Sequence, residues 1–124
     1  MNDKIFQKIF DLLQEYLPIG WKKVVLYAGY STGSYSINFH VMTSDSSYVD
    51  CYNLKTCSKV QLIKLFMNIN SVLEPSRKTT DKSAWTVFTM IVDNNGNMKT
   101  YFDYEDISET FIAYEKKWKE KYLR

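Results

Sequence analysis

The sequence predicts an α+β fold: an antiparallel sheet of about five strands with three helices, in the order α-β-β-β-α-β-β-α. Three observations carry that expectation. Apolar residues recur at helical spacing in three segments and alternate or cluster as β-formers in five others. Strands that follow one another directly are joined by connections short enough to be hairpins, which implies antiparallel pairing. Finally, turn-like clusters, Ser31-Thr32-Gly33-Ser34, Thr43 to Ser47 and Asp93-Asn-Asn-Gly96, separate the strand segments.

From Asp3 to Leu17 the residues Ile5, Phe6, Ile9, Phe10, Leu12, Leu13, Tyr16 and Leu17 make one apolar stripe, with Asn2 or Asp3 as N-cap and Pro18 and Gly20 as stop. Trp21 to Tyr30 is rich in β-formers. Beyond Ser31-Thr32-Gly33-Ser34, Tyr35 to Val41 alternates strictly, so the two read as a hairpin. A second turn-like cluster, Thr43 to Ser47, leads into a shorter strand from Tyr48 to Tyr52.

The pattern Ser58-Lys-Val-Gln61 is a capping box. It opens a helix carrying Val60, Ile63, Leu65, Phe66, Met67, Ile69, Val72 and Leu73, expected to end before Pro75 and to leave Glu74 to Ser83 as a surface loop. Trp85 to Val92 is apolar on both faces, as a central strand would be. The turn Asp93-Asn-Asn-Gly96 then returns the chain antiparallel over Asn97 to Tyr104. Asp106 or Ser108 is positioned to cap a last helix, in which Phe111, Tyr114, Trp118 and Tyr122 form a stripe expected to enter the core.

At 124 residues, with no composition shift or internal repeat, residues 1–124 are read as one domain. The 45% hydrophobic and 24% charged content excludes a disordered or fibrous chain. Ten Tyr, seven Phe and three Trp supply a core and leave amphipathic rings for a partner surface. A net charge of +2 is too small to mark a nucleic-acid binder. With no apolar run long enough to span a bilayer, and charges interrupting the first helix, the expected compartment is the cytoplasm, with no membrane contact. There Cys51 and Cys57 would stay reduced.

Chemistry is sparse. His40 is the single histidine, and alternation sets it with Ser36 and Asn38, opposite the apolar face of Phe39 and Val41. No nucleophile can be assigned to it. Gly20, Gly29, Gly33 and Gly96 are scattered, so no phosphate loop or dinucleotide fingerprint can be written. The two cysteines lack the partners of a zinc site. Neither cofactor nor metal nor catalytic set is therefore expected, and the chain reads as a binding protein, not an enzyme. One cluster stands out. Asp103, Glu105 and Asp106 crowd the junction between the last strand and the last helix, extended by Glu109. They read either as dipole-complementing acids at a helix start or as a partner-facing acidic patch. A carboxylate-dependent hydrolase built on the same acids is the catalytic alternative. The lysines from Lys116 to Lys121, interleaved with Glu115 and Glu120, read as a solvated helix end.

The segment Pro18-Ile-Gly-Trp21-Lys-Lys-Val24-Val-Leu-Tyr27-Ala28, the pair Trp85-Thr86, the stretch Gly96-Asn-Met-Lys99-Thr-Tyr-Phe102-Asp103-Tyr104-Glu105-Asp106 and the closing Trp118-Lys-Glu-Lys-Tyr122-Leu resemble, in the same order, the signature stretches of the YezG-like immunity proteins. The resemblance implies an antitoxin that binds, one-to-one, the nuclease domain of a secreted antibacterial toxin, with no direct nucleic-acid contact. An immunity protein of another contact-dependent inhibition family is the neighbouring alternative. Because nuclease domains are basic where they hold phosphates, the acidic patch gains a role under that resemblance: Asp103, Glu105, Asp106 and Glu109 are the candidate contacts, with Tyr104 as an aromatic anchor.

Overall fold

A computed structural model describes residues 3–43, 47–79 and 84–123. Its elements are α1 (Asp3–Gln14), β1 (Lys23–Ser31), β2 (Ser34–Met42), β3 (Tyr48–Asp50), a single-turn 3-10 helix (Cys51–Asn53), α2 (Lys59–Thr79), β4 (Val87–Asp93), β5 (Met98–Asp103) and α3 (Phe111–Tyr122). The α-β-β-β-α-β-β-α order and the five-stranded sheet are those the sequence predicts. The spatial order is β3-β2-β1-β4-β5, and each neighbouring pair is antiparallel. The centre of the sheet is thus β1, with β4 one strand in from the β5 edge.

Strand alternation divides the interior into two layers of unequal size. Val24, Leu26, Ala28, Ile37, Phe39, Val41, Phe88, Met90 and Val92 point to one face, where Ile9 and Leu13 of α1 and Leu62, Leu65, Phe66, Ile69 and Leu73 of α2 cover them. On the other face Val25, Tyr27 and Val87 meet Ile107 and Trp118. Trp118 is the keystone of that thinner layer: its indole N–H donates to Thr89 Oγ1 at 2.9 Å, and its ring stands edge-on to Tyr27 at 5.0 Å. Gly29 makes room for Tyr27, because a Cβ at residue 29 would collide with the tyrosine ring and hydroxyl.

Local signals are obeyed where their partners are local. Ser58 Oγ accepts from the Gln61 backbone N–H at 3.2 Å while Gln61 Oε1 accepts from the Ser58 N–H at 2.9 Å, a complete capping box. In the β4–β5 turn, Asp93 accepts from the backbone N–H groups of Asn95 and Asn97 and from the Asn97 side chain, and Gly96 adopts φ 88°. These bonds, the Asn97 ones foremost, hold the Asp93 carboxyl below its ordinary pKa.

Several boundaries move. Helix α1 ends at Gln14, and Tyr16 and Leu17 continue only as turns; Asn2, the other cap considered, lies outside the described residues. The third strand is three residues long, with Cys51 and Tyr52 in the 3-10 turn that Asp50 caps. Pro75 does not end α2, which runs on to Thr79 and thereby replaces the first part of the expected loop; residues 80–83 lie outside the described residues, as do Ser44, Asp45 and Ser46 of the earlier turn. Proline removes one helical N–H donor, but the turn beyond it is anchored to the sheet. Arg77 Nε donates to the Trp85 carbonyl at 2.6 Å, and its guanidinium lies 4.8 Å from the centre of the Tyr30 ring. Finally, α3 starts at Phe111 with Thr110 as its N-cap, so neither Asp106 nor Ser108 caps it. Asp106 Oδ1 instead accepts from the Ser108 N–H at 3.0 Å, closing a local turn that delays the helix.

Two expectations about burial also change. His40 lies on the face opposite Phe39, as alternation requires, yet it is 6% exposed because α3 covers it. Conversely Val60, Ile63 and Met67 of α2, and Phe111 of the α3 stripe, stay at the surface.

Candidate partner-binding surface

Strand β5 ends at Asp103, and the chain crosses to α3 through Tyr104–Thr110. What holds this connector is a set of hydrogen bonds to residues far away in the chain. The Thr86 N–H donates to the Asp103 carbonyl at 2.8 Å, and the Thr86 hydroxyl donates to the Glu105 carbonyl at 2.6 Å. Ser108 Oγ accepts from the Thr32 N–H at 3.1 Å, which ties the connector to the β1–β2 hairpin. Between these anchors Ile107 is 2% exposed and packs in the smaller core layer. Tyr104, Glu105, Asp106 and Glu109 therefore project into solvent from a backbone that is fixed.

Asp103 is different from the other four candidates. Its Oδ1 accepts from the N–H groups of Tyr104 and Glu105 at 2.7 and 3.2 Å, and its Oδ2 accepts from the Tyr114 hydroxyl at 2.6 Å. The Tyr114 bond foremost holds the Asp103 carboxyl below the ordinary carboxylate range, whereas burial and then that same bond raise the Tyr114 phenol. Asp103 is thus turned inward as a structural brace between β5 and α3. Asp106, fully exposed, is lowered by its backbone and side-chain bonds from Ser108.

Tyr104, Glu105, Asp106 and Glu109 are exposed along the same connector, but its surroundings are not uniformly acidic. A cleft of about 310 Å³ between β5 and α3 is lined by Asp103 and Glu105 on one side and by Lys117 and Lys121 on the other. A second hollow places Lys117 beside Glu105 and Asp106. The residues that position the patch, Thr86, Ser108, Thr32 and Tyr114, carry no signal in spacing, although Trp85-Thr86 lies in one of the family-like stretches. The Thr86 hydroxyl reaches from before β4 to the connector.

Other titratable groups are accounted for by burial. His40 Nε2 lies 3.5 Å from Asp50 Oδ2, and Nδ1 has no hydrogen-bond partner. Burial lowers the imidazole pKa more than Asp50 raises it, and Lys119 lowers it further. Burial pushes the Cys51 thiol up to about 12. Cys57 Sγ donates to the Tyr16 carbonyl at 3.3 Å, and both cysteines are free. Among the described residues no group of three or more His, Cys, Asp and Glu side chains is arranged to hold a metal ion, and no helix is long and apolar enough to cross a membrane.

Comparison with known proteins covers almost the whole chain. The model of a family described as immunity protein YezG-like matches residues 2–124. Over 110 residues the chain is 23% identical to the immunity protein YezG of Bacillus subtilis (strain 168), which spans 83% of this chain and 73% of that protein.

Proposed function

We propose that this chain, which belongs to the YezG-like immunity protein family, binds the nuclease domain of an antibacterial toxin one-to-one and neutralises it in the cytoplasm of the producing cell. The observation that supports this most is the match over residues 2–124, which takes in the connector between β5 and α3 as well as the core. The held connector adds a physical role. Glu105, Asp106 and Glu109 form an exposed cluster of carboxylates that attracts a basic, phosphate-holding surface and speeds encounter. Tyr104, 59% exposed beside them, supplies an aromatic side chain that gains from burial in a complex. A carboxylate-dependent hydrolase is disfavoured by Asp103, whose oxygens already accept three hydrogen bonds from the connector and α3.

Co-expression of this chain with the toxin encoded beside its gene tests the reading. Restored growth, together with loss of nuclease activity at one equivalent of purified chain, is expected. Absence of binding to that toxin would sink it.

A further inference from the structure

Helix α2 is apolar on two sides. Leu62, Leu65, Phe66, Ile69 and Leu73 are spent on the sheet, while Val60, Ile63 and Met67, at i, i+3 and i+7, are 65%, 51% and 57% exposed. A helix that folds against one layer needs one apolar face, so the second stripe is surplus to the fold. Tyr52, 54% exposed and standing edge-on to Phe66, widens it. The charge carried by the chain through the stripe has one sign, the nearest acid in sequence being Asp50 beside Tyr52 at its edge. Lys55, Lys59 and Lys64 are exposed, and no Asp or Glu occurs from Cys51 to Leu73. Exposed apolar side chains grouped in this way and rimmed by polar ones mark an interaction surface.

The charge selects among occupants. A two-fold pairing of α2 with α2 of a second copy sets this lysine-bearing patch against itself, which like-charge repulsion opposes. A membrane-lying helix commits its broad apolar face to lipid, but the broad face of α2 is already buried on the sheet, leaving a stripe of about 10 Å from Val60 to Met67. We infer that the outer face of α2 docks a segment of the toxin polypeptide whose apolar side chains are bordered by carboxylates. This rests on the immunity reading above and deepens it. A lysine-bordered face is repelled by a phosphate-holding groove, so this contact lies away from the nuclease's active surface.

The test uses the full chain and a catalytically inactive form of the toxin encoded beside its gene. The double variant Ile63→Asp/Met67→Asp alters only exposed positions, and an unchanged melting temperature checks that it folds. It is expected to weaken toxin binding by about tenfold or more, mainly through faster dissociation, as loss of a buried apolar anchor does. The triple variant Lys55→Glu/Lys59→Glu/Lys64→Glu is expected to weaken binding more at low salt than at high salt. If the wild-type chain binds the toxin and both variants bind as tightly, the inference is overturned while the immunity reading stands. Failure of the wild-type chain to bind overturns both. A wild-type dimer in gel filtration that the double variant abolishes assigns the stripe to a second copy and overturns the inference. So does flotation of the wild-type chain, but not the variant, with phosphatidylserine-containing vesicles.

Discussion

The Tyr114 hydroxyl donates to Asp103 Oδ2 at 2.6 Å, joining the last residue of β5 to the first turns of α3. This bond decides which of the acids at the junction are free to meet a partner. Replacing Asp103 with Asn, or Tyr114 with Phe, removes a charge-assisted bond, and a loss of about 1–3 kcal/mol of stability is expected. Urea titration checks it. Because the carboxyl is held below its unfolded value, its contribution is complete above about pH 4 and is lost as pH falls through the lowered folded value. Wild type is therefore expected to lose stability on acidification in that window more steeply than Asp103→Asn.

His40 makes the opposite demand on charge, folding favouring its neutral form, but yields the same sign. Its folded pKa lies below the ordinary 6.5, with burial the largest cause, so folding favours the neutral ring. The groups that face it are Asp50 on β3, which favours the charged form, and Lys119 on α3, which opposes it. Stability from neutral His40 is present above about pH 6.5 and is lost as pH falls toward the lowered value. Between pH 7.5 and 5.5 the wild-type denaturation midpoint is expected to fall, and that of His40→Gln to fall less. Equal slopes would show that the imidazole is not the group responsible.

Arg77 explains how α2 survives Pro75. Its Nε–H···O=C bond to Trp85 and its position over Tyr30 pin the helix end to the start of β4. Arg77→Ala is expected to cost about 2 kcal/mol. Arg77→Lys should recover little of it, because an ammonium lacks the planar fork that meets a carbonyl and a ring face together. Thermal unfolding of the two variants distinguishes a specific guanidinium role from simple charge.

These cases show what was legible in the sequence. The capping box at Ser58 and Gln61, the Gly33 and Gly96 turns and the alternation along β2 all depend on residues a few positions apart, and each appears as expected. Pro75 misleads because the anchor that overrides it is tertiary. The start of α3 misleads for the same reason: Ser108 is held by Thr32 and Glu105 by Thr86, partners on other elements that no local pattern announces. Burial of His40 depends on where α3 packs, which strand alternation alone does not specify. Within the candidate patch, acidity is legible in sequence and orientation is not: Asp103 is as acidic as Glu105, Asp106 and Glu109, yet its oxygens are engaged by Tyr104, Glu105 and Tyr114.

Separating Asp103 from the other acids sharpens what charge reversal should do to toxin binding. Glu105→Lys/Asp106→Lys/Glu109→Lys alters exposed side chains on a connector whose backbone is held by Thr86 and Ser108; it also removes the Asp106 bond to the Ser108 N–H, so an unchanged melting temperature checks the fold. If these carboxylates steer a basic domain, the association rate constant falls by about tenfold at low ionic strength, and the difference shrinks as salt approaches the range where the Debye length is about 8 Å. Dissociation should change far less. Asp103→Asn should behave in the reverse way, leaving association near wild type while lowering stability. Stopped-flow association measured across a salt series separates the two. Association rates that do not respond to the triple reversal would remove the connector from the encounter surface and leave the outer face of α2 as the principal contact.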